Sequence, residues 1–135
     1  MTRINIIEPS ELTDQHLIAE YREIFMVGGS LRRTLKSKSG YQESKVPKNF
    51  TLNNGHVYFF YNKGKYLHER YLQIIEEMRK RGFNPDSKRV FPTEVFKDNG
   101  LYKDWLPTKQ DQKIIRERIS KRISEKPDWY RKTTY

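Results

Sequence analysis

Between Thr13 and Phe25 the apolar residues Leu17, Ile18, Tyr21, Ile24 and Phe25 recur every three to four positions. That spacing places them on one face of a helix. Thr13 is a good N-cap, and Asp14 follows where the helix dipole favours an anion. The pair Gly28-Gly29 is a weak point, but Leu31 and Leu35 resume the pattern, so the helix either bends there or continues. The same period returns twice. Leu67, Tyr71, Ile74, Ile75 and Met78 predict a second helix from Lys65 to Arg81, closed by Gly82. Ile114, Ile115, Ile119 and Ile123 predict a third over about 109–124, with its isoleucines inward.

No stretch alternates convincingly. His56–Tyr61 is dense in aromatics, but with no second strand to pair with it reads as a buried irregular or short helical segment. Residues 1–12 are extended, with Ile4, Ile6 and Ile7 apolar and Pro9 opposing a helix. Residues 37–55 form a polar loop, and 83–107, with three prolines, form a long connection. The expectation is an all-α fold: a single compact domain spanning 1–135, with three main helices, an extended N-terminal arm and long loops.

Charge narrows the partner. The chain has 27 Lys+Arg against 17 Asp+Glu, a formal net charge of +10. Such a balance suits a polyanion, because phosphate neutralisation drives much of nucleic-acid affinity. No apolar run approaches the roughly 20 residues needed to span a bilayer. The N-terminus lacks the pattern of a secretory signal. These features lead us to expect a soluble, cytoplasmic protein without a membrane partner. Cysteine is absent, and His16, His56 and His68 lack helical ligand spacing, so neither a thiolate site nor another metal site is expected. Aromatics make up 13% of the chain; among basic residues they suit base stacking, although most are expected to form the core. His56 reads as a satisfied core histidine.

The N-terminus offers a second kind of chemistry. If Met1 is removed, Thr2 carries the free α-amine, whose unperturbed pKa of roughly 7.7–8 leaves much of it neutral near pH 7–8. A neutral amine can attack an electrophilic carbon and form a Schiff base. The first helix supplies a carboxylate, Glu23, beside a guanidinium, Arg22. On pattern alone, Thr2-Arg3 reads equally as a frayed terminus and Arg22-Glu23 as a solvated helix face.

A longer set of residues bears on that choice. Met1-Thr2-Arg3-Ile4-Asn5, Ser10-Glu11-Leu12, Asp14-Gln15-His16-Leu17 and Ala19-Glu20-Tyr21-Arg22-Glu23 come first. They are followed by Gly55-His56-Val57, Phe59-Phe60-Tyr61, Lys80-Arg81-Gly82-Phe83-Asn84 and Trp129-Tyr130. In this order and spacing the chain resembles the pyrimidine-dimer DNA glycosylase/AP lyase of T-even phages, the phage endonuclease V family. The resemblance implies a base-excision repair enzyme acting on cyclobutane pyrimidine dimers in double-stranded DNA, as a monomer and without metal or cofactor. It implies that the Thr2 amine attacks the sugar and that Glu23 relays protons, with β-elimination then nicking the strand. By position it implies DNA contacts from Arg3, Arg22, Arg33, Lys45, Arg118 and Arg122. Gln15, His16 and Glu20 would line the pocket, and Trp129 and Tyr130 would meet the lesion.

Two positions and the tail depart from the family pattern. Met26 stands where the family has an active-site arginine, Tyr71 replaces a glutamine, and the tail after Tyr130 reads Arg131-Lys132-Thr133-Thr134-Tyr135. These changes bear on substrate range, leaving open a glycosylase/lyase for other pyrimidine damage or abasic sites. A non-enzymatic basic nucleic-acid-binding module also accounts for the charge and the aromatics, and a metal-dependent nuclease is a third reading.

Overall fold

The computed structural model describes residues 2–135. Among them are five α-helices and no strand: α1 Asp14–Lys36, α2 His56–Phe59, α3 Gly64–Lys80, α4 Thr93–Lys97 and α5 Lys109–Glu125. The three long helices fall where the apolar spacing predicts them. The expected arm is present, interrupted by a single 3-10 turn at Pro9–Glu11. No helix among the described residues is long and apolar enough to cross a membrane.

Thr13 caps α1 by accepting the His16 N–H at 3.1 Å. The helix then runs through Gly28 and Gly29 unbroken. Packing explains why a glycine sits in its interior. A Cβ on Gly28 would stand 3.0 Å from Pro92 Cγ, beside Val95 and Phe96. A Cβ on Gly64 would lie 2.4 Å from Phe96 Cγ. Phe96, fully buried, thus fills the space over Gly64 at the start of α3, where no side chain fits, while Pro92 makes the closest approach to Gly28 of α1. The proline-rich connection therefore contains α4, an element too short to show a period in the sequence.

The buried stripe of α1 is rotated from the expected one. Its centre is Leu17, Glu20, Ile24, Val27, Gly28 and Leu31. Ile18, Tyr21 and Phe25 flank it, half-buried against the core. On α5 only Ile115 and Ile119 are fully buried, while Ile114 and Ile123 lie at the margin. A Thr108–Asp111 capping box starts α5. The core is completed by the arm residues Ile4, Ile6, Ile7 and Leu12 and by an aromatic group around Phe50, Phe59, Phe60 and Trp105.

The arm turns sharply at Ile6, whose φ of 33° is unusual for a β-branched residue. Gln112 Nε2 donates to the Ile6 carbonyl at 3.2 Å, and the Arg70 guanidinium donates to that of Ile7. These two bonds hold the turn and aim residues 2–5 across the middle of α1.

Candidate active site

Three consecutive amides of the arm are received by three side chains. Arg3 N–H donates to Glu23 Oε1 at 3.0 Å, Ile4 N–H to His56 Nε2 at 3.0 Å, and Asn5 N–H to Glu20 Oε1 at 3.1 Å. An extended strand normally satisfies such groups on a neighbouring strand. Here two helices do the work, and the register of the arm against them is fixed residue by residue.

Each acceptor is itself held. His56 is buried, and its Nδ1–H donates to the Thr51 carbonyl at 2.8 Å, which leaves Nε2 as the acceptor. Burial lowers its pKa to about 4, so the ring is neutral. It is the satisfied core histidine that the sequence suggests, and it also docks the arm. Glu20 is 1% exposed and takes a two-pronged contact from Arg70, Nε at 2.7 Å and Nη2 at 3.0 Å. Glu20 therefore belongs to the core stripe of α1, where the equally buried Arg70 of α3 neutralises it, and it reaches the pocket only from below.

A pocket of about 280 Å³ opens beside the arm. Arg3 and Asn5 line it from the arm, and His16, Ala19, Glu20 and Glu23 from α1. Arg118, Ile119 and Arg122 of α5 face them, with Tyr130 of the tail at one side. Burial raises the Glu23 pKa against the opposing pull of the Arg3 N–H. Burial lowers the Arg3 pKa, and the Arg118 and Arg122 guanidiniums lower it further. Three guanidiniums that repel one another around Glu23, with Glu20 already paired to Arg70, suit an anion arriving from outside. Burial and Arg122 also lower the His16 pKa, so this ring is kept from adding a fourth cation.

Thr2 is half-buried, and its hydroxyl donates to Met26 Sδ at 3.5 Å. It lines a second hollow of about 640 Å³ with Lys45, Pro47, Asn53, Tyr58 and Tyr61. Met26, one of the departures from the family pattern, is thus a direct neighbour of Thr2. Tyr71, the other helical one, is buried among Tyr21, Phe25 and Phe91 and does not line the pocket.

The structure gathers Arg3, His16, Glu20, Glu23, Arg118, Arg122 and Tyr130 in one pocket, and Lys45 lines the second hollow with Thr2. It does not bring Arg22, Arg33, Gln15 or Trp129 to the lining. Arg22 and Arg33 are exposed on α1. The Arg22 carbonyl accepts from Arg89 Nη2 at 3.0 Å. Trp129 is 62% exposed. Gln15 faces the tail: its Nε2 donates to the Trp129 carbonyl at 2.6 Å, and its Oε1 accepts the Arg131 N–H at 2.9 Å.

Sequence reasoning missed Arg70 and Asn5 and gave His56 no part in docking the arm. For Arg70 a signal exists. It shares the stripe of Leu67, Tyr71 and Ile74 on α3, as Glu20 shares that of Leu17, Ile24 and Val27 on α1. Opposite charges at two core registers call for each other. Among the described residues no three His, Asp or Glu side chains converge as metal ligands.

Residues 1–90 match the family model for pyrimidine dimer DNA glycosylase. The matched span holds the arm, Glu23, His56 and Arg70. Arg118, Arg122 and Tyr130 lie beyond it and complete the pocket from α5 and the tail.

Proposed function

The chain belongs to the pyrimidine dimer DNA glycosylase family, and on that premise we propose that it uses the α-amine of Thr2, freed by removal of Met1, and the carboxylate of Glu23. The observation that carries this reading is the 3.0 Å bond from Arg3 N–H to Glu23 Oε1. That bond ties the Glu23 carboxylate to the residue next to Thr2, in a pocket rimmed by cations, which supports the reading.

The neutral amine attacks C1′ of a damaged nucleotide. The C–N glycosidic bond breaks, and its electron pair leaves with the base. Opening of the sugar ring gives a protonated imine at C1′: Glu23 takes one proton from the attacking amine and passes it to O4′, which leaves Glu23 ionised again, and the departing base takes a proton from water. The imine acidifies C2′–H. Glu23 removes that proton, and the electrons expel the 3′ phosphate by β-elimination. Water then releases the protein amine. Apart from water, every group needed belongs to the chain or the DNA, so the reading calls for no cofactor or metal ion and is complete in a monomer.

Arg3, Arg118 and Arg122 take the phosphates, a contact blind to sequence. Selection comes from the lesion, since a dimerised base pair stacks poorly and kinks or flips at lower cost than intact duplex. The contact between Met26 and Thr2 is where substrate range is tuned, because a neutral thioether stands beside the nucleophile.

Borohydride trapping on a duplex carrying one cyclobutane dimer, with chelator and an undamaged control, tests the reading. A covalent adduct mapped to Thr2 is expected with the lesion alone. Acetylation of the Thr2 amine, or retained Met1, should abolish it. An adduct on a lysine would move the nucleophile. No adduct with either a dimer or an abasic site would leave a DNA-binding module.

A further inference from the structure

The first turn of α1 grips the tail with three successive residues. Asp14 N–H donates to the Arg131 carbonyl at 2.6 Å, and its carboxylate accepts the Thr133 N–H at 3.0 Å and the Thr133 hydroxyl at 2.6 Å. Arg81 holds the same carboxylate at 2.9 Å. Gln15 donates to the Trp129 carbonyl and accepts the Arg131 N–H, so it bonds the main chain on both sides of Tyr130 and not Tyr130 itself. His16 then meets the bracketed residue: its ring and that of Tyr130 stack at 4.8 Å with 6° between planes. Tyr130 reaches the pocket of Glu23 in this way and is half-buried there.

We propose that Gln15 is a positioning residue for substrate discrimination, which acts through Tyr130 and touches no DNA. It fixes the Tyr130 ring as a wall of the Glu23 pocket, where the ring stacks on the base of the damaged nucleotide. This rests on the function proposed above. The chemistry makes the effect selective. A nucleotide that still carries its base, even a dimerised and non-aromatic one, offers a face for the ring to pack against, whereas an abasic site offers none. A loosened ring therefore harms action on the base-bearing lesion and spares the lyase step.

The test compares Gln15→Ala, Tyr130→Ala and the double variant on one duplex carrying either a cyclobutane dimer or an abasic site. Alanine is the best helix former, so α1 persists in Gln15→Ala. That variant should lose roughly tenfold in kcat/KM on the dimer, the scale of a lost hydrogen-bonded clip, and stay within about twofold on the abasic site. The double variant should be no worse than Tyr130→Ala alone. Gln15→Glu, which keeps the acceptor but loses the donor, should fall between wild type and alanine. Independently of activity, the ring-current shift of the His16 protons should be present in the wild type and collapse in Gln15→Ala. An unchanged His16 shift, additive losses, or equal losses on both substrates would overturn the inference. Failure of the wild type to trap either substrate would instead overturn the proposed function, while the His16 shift still decides the role of Gln15.

Discussion

Glu23 Oε1 and the amide nitrogen of Arg3 lie 3.0 Å apart, so the carboxylate proposed to relay protons also docks the arm that carries Thr2. Glutamine at position 23 keeps an oxygen for that N–H but cannot relay a proton. Glu23→Gln should bind lesion DNA as tightly as the wild type and cleave it roughly 10²–10⁴-fold more slowly, the usual contribution of a positioned acid–base group. Single-turnover cleavage and a gel-shift titration measure the two effects. Normal cleavage would remove Glu23 from the mechanism.

The same substitution has a stability signature. Burial raises the Glu23 pKa, so the folded protein holds this proton more tightly than the unfolded chain does. A group of that kind stabilises most below the ordinary carboxylate pKa, and its contribution is lost as pH rises through the folded value. Near neutral pH the ionised Glu23 is therefore a cost to the fold. Glu23→Gln should melt at or above the wild-type Tm at pH 7, with the difference shrinking in acid. A marked drop in Tm would make Glu23 a structural residue.

His56 gives the opposite pH sign. Its pKa falls from 6.5 to about 4, chiefly through burial. The unfolded chain takes up this proton first, so the contribution of His56 is present above pH 6.5 and disappears as pH falls toward 4. The full effect is on the order of 3 kcal/mol. His56→Gln can still accept the Ile4 N–H but leaves the Thr51 carbonyl short of a donor, at a cost of roughly 1–3 kcal/mol at pH 7. Urea unfolding should show the gap between wild type and variant narrowing from pH 6.5 to pH 4. A constant gap would mean that His56 is not held neutral by its surroundings.

The ion pair of Arg70 and Glu20, with side chains 3% and 0% exposed, sets the cost of undocking the arm. Arg70→Met leaves Glu20 buried and uncompensated, which typically costs about 3–5 kcal/mol. Adding Glu20→Gln to Arg70→Met should recover a large part of that loss and keep an acceptor for the Asn5 N–H. The double variant should regain more stability than activity, because the amide no longer has Arg70 to orient it. Urea unfolding beside a single-turnover assay checks both halves.

These residues also show what the sequence conveys and what it does not. The long helices were legible because Leu17, Ile24, Leu67, Ile74, Ile115 and Ile119 repeat with a helical period that packing enforces. α4 was not, since five residues make little more than one turn and its place is set by the close approach of Pro92 to Gly28 and of Phe96 to Gly64. In the site, Thr2, Arg3, His16, Glu23, Arg118, Arg122 and Tyr130 follow from the ordered resemblance, and all but Thr2 line one pocket. What docks them was hidden, because an amide-to-side-chain bond such as Ile4 to His56 joins residues 52 apart and leaves no local pattern. The tail contacts of Gln15 were hidden for a related reason: its partners, 114 and 116 residues away, are main-chain groups that any residue carries.

Arg122 separates binding from folding. It is exposed at the rim of the pocket, where with Arg118 it lowers the Arg3 pKa, a mark of mutual repulsion in the free protein. Removing it relieves the fold and deprives the DNA of one cation. Arg122→Ala should therefore melt no lower than the wild type and bind undamaged duplex more weakly. If Arg122 neutralises one phosphate, the slope of log affinity against log salt should be shallower by about 1. Fluorescence anisotropy with a labelled duplex, titrated at several salt concentrations, reads that slope directly. An unchanged slope with unchanged affinity would place the phosphate track elsewhere, along the exposed Arg32, Arg33 and Lys36 at the end of α1. In that case the three guanidiniums around Glu23 would serve only to tune the pocket.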